Sequence, residues 1–546
     1  MKAAALALVF AFAGIPVLAG VGVTLVEAAN PVAWKALLQY PGMGRTVAVS
    51  AWTGSVATIV ALGFAHLTVA LAASAARAER LRVLILPLIA LPHLAVAIGL
   101  VLVLAPSGLI LRLLSPWATG FHLPPDWQTT QDPWGLSLIL GLIVKETPFL
   151  VLMLLGARAQ FPVDRLMLHS RSLGYGPMKA WWVSVAPLLQ RRIHLPLAAV
   201  FVFAVTNVEM AIPLGPAMPP PLGVVVWQWF TASRLELRTQ ASAGSVLLLI
   251  VALGALAAAW GGSRLARLAL RAYSESGHRG LGAERPFRLL ALLIGLSFTL
   301  ATGAIVALGL RSVSPMWRFP AVFGDHLELG LVAQLAPSLK IALGSTVTLA
   351  CSTAIAAIAL VTLINENLID DIRWRTRIGV LLFAPLLLPQ LAFLFGLQSL
   401  LVRLRLDGTW AAVGWEHTLF ALPYVWGLLA AARTQLDPRL IMTARTLGAG
   451  GLRLWWAVTL PLLLRPTLLA GAVAFGVSAA LYLPTLFAGG GRVMTVATEA
   501  TSAASSGNLR LAAAYGAAQA LAPLTALLLA VLIGRAAFRG RRGVPR

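Results

Sequence analysis

Long apolar runs alternate with short polar segments along the whole chain. About twelve of these runs reach the roughly 20 residues that a helix needs to cross a bilayer core of about 30 Å. Six precede the middle of the chain and six follow it, near residues 3–27, 46–74, 82–104, 135–157, 193–214, 241–263, 288–310, 337–364, 378–402, 411–432, 466–488 and 512–534. The pattern predicts an all-α polytopic membrane protein. The first run is too long for the apolar part of a typical signal peptide, so we expect it to be a helix.

Composition supports the membrane class. Of the 546 residues, 59% are hydrophobic and 11% are charged, whereas soluble proteins contain roughly 25% charged residues. The net charge of +23 could indicate a nucleic-acid-binding protein. The basic residues, however, lie in short loops between apolar runs, which is the pattern that orients a protein in a membrane. We therefore expect a lipid bilayer as the partner of this surface, and no nucleic acid.

The distribution of Lys and Arg predicts the orientation. With a cytoplasmic N-terminus and alternating spans, 29 of the 42 basic residues face the cytoplasm and 11 face the other side, while Lys145 and Lys340 fall inside spans. This bias predicts that both termini of this multi-pass membrane protein are cytoplasmic. The expected boundaries are a first half at 1–263, a cytoplasmic linker at 264–287 and a second half at 288–546.

One stretch of sequence occurs twice, at an offset of about half the chain. Gly174 corresponds to Gly448, and Pro187 corresponds to Pro461. Both copies share an Arg, a Leu-Gly pair, a Trp-Trp pair and a Pro-Leu-Leu triplet in the same order. The repeat indicates an internal duplication. Because each half holds an even number of spans, we expect the halves to share one orientation, related by an axis along the membrane normal.

Each copy predicts a short helix, a turn and a second helix on the cytoplasmic face. The Gly allows a sharp turn where a Cβ would clash, and the Pro thirteen residues later fits the first turn of the following helix. Four arginines decorate the two copies, namely Arg165, Arg171, Arg439 and Arg445. We call the segments that contain the copies the first repeated loop (residues 158–192) and the second repeated loop (residues 432–466).

The spacing in these loops resembles the signature of permease subunits of binding-protein-dependent ABC importers. That signature reads Glu-Ala-Ala, three residues, Gly, nine residues, a hydrophobic residue, one residue and then usually Leu-Pro. Its Gly and Pro places are occupied here in both copies. The residues at the Glu-Ala-Ala places are Leu168, His169 and Ser170 in the first loop and Met442, Thr443 and Ala444 in the second. In that family the loop forms a coupling helix that sits in a groove of the ATPase subunit.

The resemblance implies two tandem six-helix halves of the type I ABC importer permease fold, located in the bacterial inner membrane. The implied partners are a cytoplasmic ABC ATPase homodimer and a periplasmic solute-binding protein. ATP would be used by the partner, so no cofactor and no catalytic residue are expected on this chain. Because Leu168 and Met442 replace the family's Glu, docking would rest on apolar packing and on the arginines. The stretch at 481–492 is similar to permeases of thiamine transport, so a thiamine-like or other organic cation, or ferric iron, is the expected solute.

Three ionisable residues within spans are candidates for the passage or a gate. Lys145 and Glu146 precede a proline in the fourth run, and they either line the passage or hold the bundle together by pairing. Glu209 lies near the outer end of the fifth run and is either a one-sided gate or a packing residue. The second half has no acid in the corresponding stretch at 478–484.

Other motifs narrow the choice of class. The sequence has no Gly-x-x-x-x-Gly-Lys-Ser/Thr motif, so we expect the ATPase to be a separate protein. No metal-binding spacing such as His-Glu-x-x-His is present. The single Cys351 excludes an intrachain disulfide, and we expect it to be a small packing residue. The two Trp-Trp pairs, taken alone, are interpreted as anchors at the membrane interface.

Two other classes compete with the permease interpretation. An ion-coupled secondary transporter would carry its own coupling acids within the spans and need no ATPase. A membrane-embedded enzyme would need clustered acids or histidines at one interface, and the sequence shows no such cluster.

Overall fold

The computed structural model describes residues 2–72, 75–234, 236–277, 284–324, 328–368 and 371–537. Every regular element in these ranges is a helix. Nine of the described helices are long and apolar enough to cross a membrane, and two pairs of helices reach that length as broken spans. The chain is thus an all-α, multi-pass membrane protein, as the pattern of apolar runs predicts.

Twelve helices correspond to the twelve apolar runs. They are α1 (Ala5–Glu27), α2 (Met43–Leu71), α3 (His93–Leu104), α4 (Leu136–Arg158), α5 (His194–Thr206), α6 (Glu236–Glu275), α7 (Glu284–Val313), α8 (Gly330–Leu368), α9 (Gln390–Arg403), α10 (Trp410–Thr434), α11 (Leu460–Ala480) and α12 (Leu509–Ala536). Helix α10 has 25 residues but is not among the nine most apolar ones, since it carries Glu416 and His417.

Shorter helices connect these twelve. Ala75–Ala90 and Ile372–Leu387 precede α3 and α9, each across a proline, and the second of these junctions bends by 93°. Pro92 and Pro389 remove the N–H that would continue the helix, which is why both runs break there. The remaining short helices outside the repeated loops are Pro31–Leu38, Leu109–Leu114, Ala211–Leu214, Leu222–Thr231, Leu483–Gly489 and Val496–Ser505.

The first helix of each half packs against the third helix of the other half. Helix α1 lies along α9, and α7 lies along α3. Gly396 of α9 approaches the carbonyl of Gly20 so closely that a Cβ on Gly396 would overlap it. The backbone N–H of Gly396 also donates to Thr24 Oγ1 over 3.0 Å. In the same way, a Cβ on Gly99 would overlap the carbonyl of Ala304.

This exchange means that the two halves are interlocked. Small residues allow such close helix approach within a membrane, where packing rather than water exclusion drives association. The expected division at 1–263 and 288–546 follows the duplication in the sequence. In the folded chain, the first helix of each half packs against the other half.

The expected cytoplasmic linker at 264–287 is largely helical where the structure describes it. Helix α6 runs for 40 residues to Glu275, which is about 60 Å at 1.5 Å per residue. It therefore extends well beyond a bilayer core of about 30 Å. Positions 264–275 of the expected linker are helical, while 278–283 lie outside the described residues.

One side chain corrects an expectation from the sequence, and another joins the two halves. Cys351 is exposed on α8 rather than packed in the core, because it lies on a face of that helix that other helices leave uncovered. Arg112, by contrast, is 3% exposed. Its guanidinium donates to the carbonyls of Trp317, Arg318 and Ala321 over 2.6–2.7 Å and thereby joins the outer segment of one half to that of the other.

We expect Gly396→Leu to destabilise the protein by at least about 2 kcal/mol, because the new side chain would separate α9 from α1. The measurement is thermal unfolding of the purified protein in detergent. Gly22→Leu is the matched control, since a Cβ on Gly22 of α1 meets nothing within 4 Å. Equal melting temperatures for the two variants would contradict the interlocking contact.

Candidate functional site

The first repeated loop is a helix, a turn and a second helix. Its first helix is Val163–Ser172, and the chain then turns at Gly174, whose φ is +86°. The second helix is formed by Pro177–Ala180, a π-helical turn at Trp181–Val185 and Ala186–Arg192. Pro187 lies in the first turn of the last of these segments, where its missing N–H costs little.

The second repeated loop has the same form. Its first helix is Pro438–Thr446, and the turn contains Gly448 with a φ of +83°. The second helix begins with Gly451–Leu454 and a π-helical turn at Trp455–Thr459 and continues as α11, whose first turn holds Pro461. Asp437 caps the first helix by accepting a hydrogen bond from the N–H of Arg439 over 2.9 Å.

The loops differ in how they continue into the membrane. In the first half the chain bends by 78° between Arg192 and His194, where α5 begins. In the second half the helix continues through Pro466 to Ala480 without such a break.

Contacts place both loops at the same end of the helix bundle. Ile294, near the beginning of α7, packs with Met178 of the first loop. The segment that follows α7 contacts Arg112, which lies at the opposite end because α4 separates it from the first loop. Helix α8 then returns, and its Glu366 pairs with Arg433 at the entry to the second loop. Two crossings therefore separate the loops.

An arginine at the end of the fourth helix of each half holds the end of the second helix. Arg158 of α4 donates to the carbonyl of Ala72 over 2.8 Å and pairs with Asp164 of the first loop over 3.2 Å. Arg433 of α10 donates to Glu366 of α8 over 3.0 and 3.5 Å. These contacts fix the base of each loop on its own half.

The Trp pairs are used differently in the two loops. Trp181 is 2% exposed and, with Trp182, packs against the ring of His66 on α2. The expectation of an interfacial anchor is therefore wrong for Trp181, because its indole is covered by protein. Trp455 and Trp456 instead contact each other at 4.7 Å, and Trp456 is 63% exposed.

Each loop presents a matching apolar and basic surface. Leu168 and Met442, which stand where the family signature has Glu, are 66% and 65% exposed. Leu173 and Leu447, next to the turns, are also exposed. Exposed residues that share these faces are Arg165, His169 and Arg171 in the first loop and Arg439, Thr443 and Arg445 in the second. Ser170 and Ala444, at the last place of the triplet, are buried and join the first helix of each loop to the second, because Ser170 bonds Ser184 and Ala444 packs with Leu454.

Lys145 and Glu146 of α4 are buried, and both contact the segment around Pro92, where the chain breaks before α3 begins. Glu146 Oε1 lies 3.0 Å from His93 Nε2, and Lys145 Nζ donates to the carbonyl of Ile89 over 3.1 Å. Both partners flank Pro92. These contacts favour the packing interpretation over a role in the passage, because Lys145 satisfies a carbonyl at the end of the helix before Pro92 and Glu146 pairs with the side chain of His93 after it.

Glu209 lies in a break where the fifth span changes direction. Helix α5 ends at Thr206, and Asn207 Oδ1 caps the short following helix by accepting from Met210 and Ala211 over 2.8 and 3.2 Å. Glu209 is 7% exposed, and Val208 beside it belongs to the same buried cluster as Tyr482 of the other half.

Sequence reasoning missed a polar pair inside the tenth run. His417 is buried and bonds Ser478 at 2.8 Å and Thr485 at 2.9 Å. Glu416 beside it is fully buried, and neither carboxylate oxygen has a hydrogen-bond partner among the described residues. An adjacent Glu-His pair within an apolar run was the available signal.

Comparison with known proteins gives one extended similarity. No family model matches the chain. The chain is 28% identical over 517 residues to the inner membrane ABC transporter permease protein YnjC of Escherichia coli K12. The alignment covers 94% of this chain and 92% of that protein, so it extends over both halves and both repeated loops.

We expect Gly448→Val to loosen the second repeated loop, because a β-branched residue is strained by about 1–2 kcal/mol at a φ of +83°. Space is not the cause, since a Cβ there meets nothing within 4 Å. Hydrogen exchange of the amides at 438–459 measures the effect. Gly450→Val is the control, as Gly450 has an extended φ of −129° and equally open surroundings. Unchanged exchange in Gly448→Val would contradict the need for glycine at this turn.

Proposed function

We propose that this chain is the fused permease subunit of an ABC importer, which moves a small solute from a periplasmic binding protein to the cytoplasm. The observation that carries the proposal is the pair of matching, exposed helix–turn–helix loops at one end of the bundle. The similarity to YnjC, a protein described as an ABC transporter permease, supports it over nearly the full length. No chemistry on the chain is required.

The loops would dock on two equivalent grooves of an ATPase homodimer. Leu168 and Met442 would enter an apolar floor, while the exposed arginines would meet an acidic rim. Closure of the dimer on ATP would bring the two loops together. Because Arg158 and Arg433 fix the loops to α2 and α8, the movement would pass into the bundle and shift it between inward-open and outward-open states.

The opposite end of the bundle would receive the binding protein. Trp117, Trp127 and Trp134 are 77%, 52% and 70% exposed in the segment between α3 and α4. Exposed indoles suit a protein interface, and anchoring in the lipid interface is the alternative. The Arg112 bonds join this segment to the second half, so a partner seated here would contact both halves.

An ion-coupled secondary transporter is the second candidate. It is favoured only by the buried acids, of which Glu146 is already bound to His93. The solute in the permease proposal is a thiamine-like or other organic cation, or ferric iron, on the resemblance of the stretch at 481–492.

The class is tested in proteoliposomes that contain the chain, its partner ABC ATPase and the binding protein. We expect uptake of labelled thiamine, as a representative organic cation, only when ATP is present on the side of the membrane where the ATPase is bound. We also expect ATP hydrolysis to be coupled to the binding protein. Uptake driven by an ion gradient without ATP would contradict the proposal, as would ATP hydrolysis by the chain alone.

We expect Leu168→Glu combined with Met442→Glu to weaken binding of the ATPase at least tenfold, because a carboxylate would be carried into an apolar groove without a partner. Co-purification at graded ATPase concentrations measures the change. The exchange variant Leu168→Met with Met442→Leu is the control and should bind normally. Normal binding of the double Glu variant would exclude the apolar contact.

A further inference from the structure

A small polar cavity lies beside the second repeated loop. It is bounded by α8, by α10 and by the helix that leads from this loop into α11, and its volume is about 20 Å³. The polar side chains that line it come from all three sides, namely Thr362, Asn365, Glu366, Arg433, Thr459 and Thr467. A buried water molecule needs roughly 10–15 Å³ and two to four polar partners. The cavity therefore has the size and the lining for one water molecule.

Two buried oxygens at this cavity lack partners. Asn365 is 4% exposed and Thr459 is 1% exposed. Asn365 Oδ1 and Thr459 Oγ1 have no hydrogen-bond partner among the described residues. Other buried threonines bond the carbonyl four residues earlier, as Thr346 and Thr501 do. An unpaired buried polar atom is costly, so a guest that bonds both oxygens would be stabilising.

The charges at the cavity favour a neutral guest. Arg433 pairs with Glu366 over 3.0 Å, so the two charged side chains of the lining balance each other. An ion would give up its hydration without meeting an unpaired charge, which costs several kcal/mol. Water has no such cost, and threonine hydroxyls can both donate to it and accept from it.

The duplication allows the same place to be found in the first half. The N–H of Leu222 donates to Ser50 on α2 over 2.7 Å. The N–H of Val496, which corresponds to Leu222 in the duplication, donates to Thr346 on α8 over 3.0 Å. Ser50 and Thr346 are therefore corresponding residues, and they align α2 with α8.

An aromatic ring fills that place in the first half. His66 lies as far beyond Ser50 as Thr362 lies beyond Thr346. It is 1% exposed, and its ring packs against Trp181. The two ring nitrogens have no hydrogen-bond partner in the described part of the chain, but the ring takes up the room that the smaller Thr362 leaves.

The ends of the two π-helical turns show the same contrast. Val185 and Thr459 are their last residues and correspond in the duplication. Val185 is 0% exposed and belongs to an apolar cluster with Trp181 and Leu189, whereas Thr459 lines the cavity. The first loop is thus held on α2 by close packing, and the second loop faces α8 across a polar space.

We propose that a water molecule bound by Asn365 and Thr459 joins the second repeated loop to α8, and that the loop pivots at this hydrated joint. The pair of Arg433 and Glu366 holds the entry of the loop, so the pivot lies at its exit. Bonds to water can be exchanged one at a time, whereas the packed Trp181 would have to leave its place as a whole. The movement rests on the proposed function, because the ATPase would supply the force. The hydration is a property of the chain alone.

Silver-ion labelling of single cysteines tests the hydration. Cys351 is the only cysteine, so Cys351→Ser gives a background without thiols. Thr459→Cys and Val185→Cys then place one thiol at each of two corresponding and buried positions. Ag⁺ forms a bond to sulfur and releases the thiol proton, and the remaining free thiol is measured with a maleimide after denaturation. The protein is the full-length chain in detergent.

We expect Ag⁺ to react at least about tenfold faster with Thr459→Cys than with Val185→Cys, because an ion does not enter apolar packing without its water. Asn365→Leu removes a water ligand with little change in volume, and it should slow the reaction of Thr459→Cys at least about threefold. Asn367→Leu is the control, since Asn367 lies on the same helix but does not line the cavity. It should leave the rate unchanged.

Equal rates at the two cysteines would overturn the hydrated joint, and so would a Thr459→Cys rate that ignores Asn365→Leu. If Thr459→Cys fails to fold, Thr467→Cys reads the same cavity from α11.

The movement is measured on the complete complex with its ATPase in proteoliposomes. ATP with vanadate should change the rate of Thr459→Cys at least about threefold and leave that of Val185→Cys unchanged, because only the second loop has exchangeable bonds at its exit. A Thr459→Cys rate that ignores ATP in a complex that hydrolyses it would overturn the pivot. Loss of ATP-dependent uptake and hydrolysis would refute the proposed function, while the silver rates of the chain alone judge the hydration separately.

Discussion

Close backbone contact between helices of opposite halves is the constraint on which the rest of the bundle depends. Gly396 lies against Gly20, and Gly99 lies against Ala304, so that α1 and α9, and α7 and α3, approach more closely than side chains would allow. In a membrane, where lipid offers the same apolar surroundings as a neighbouring helix, such packing supplies much of the association energy. A half that carries its first helix on the opposite half cannot move independently at that contact.

Each repeated loop is joined directly to the fifth helix of its half, which is α5 after the first loop and α11 after the second. The paths are unequal, because the first contains the 78° bend and the second is a nearly continuous helix. A force on the second loop would be transmitted along one nearly continuous helix. A force on the first loop would have to pass the bend, and this loop is supported by the packing of the buried Trp181 against His66.

The sequence predicted the large features because they follow from periodicity and length. Twelve apolar runs became twelve helices, and the Gly and Pro of each repeat lie where a turn and a first helical turn need them. The exchange of first helices was not predicted, since residues such as Gly20 and Gly396 acquire meaning only when the two are known to meet. Trp181 and Cys351 were placed wrongly for a related reason: a sequence shows that a residue lies in an apolar helix but not which face a distant helix covers. Glu416 and His417 were not recognised as a polar pair, because the mean hydropathy of the tenth run is that of an apolar segment.

Duplication makes the departures from symmetry informative. Wherever both halves need the same geometry, as at the two loop turns, the same residue type is found in both copies. At the breaks that follow the fifth helices the copies differ, with Glu209 in one half and Leu483 in the other. A buried carboxylate is costly, so a second acid at the equivalent position would add to that cost, whereas Leu483 packs into a buried apolar cluster. Symmetry is therefore kept where the backbone geometry of the turns requires it and is lost where it would bury a second charge.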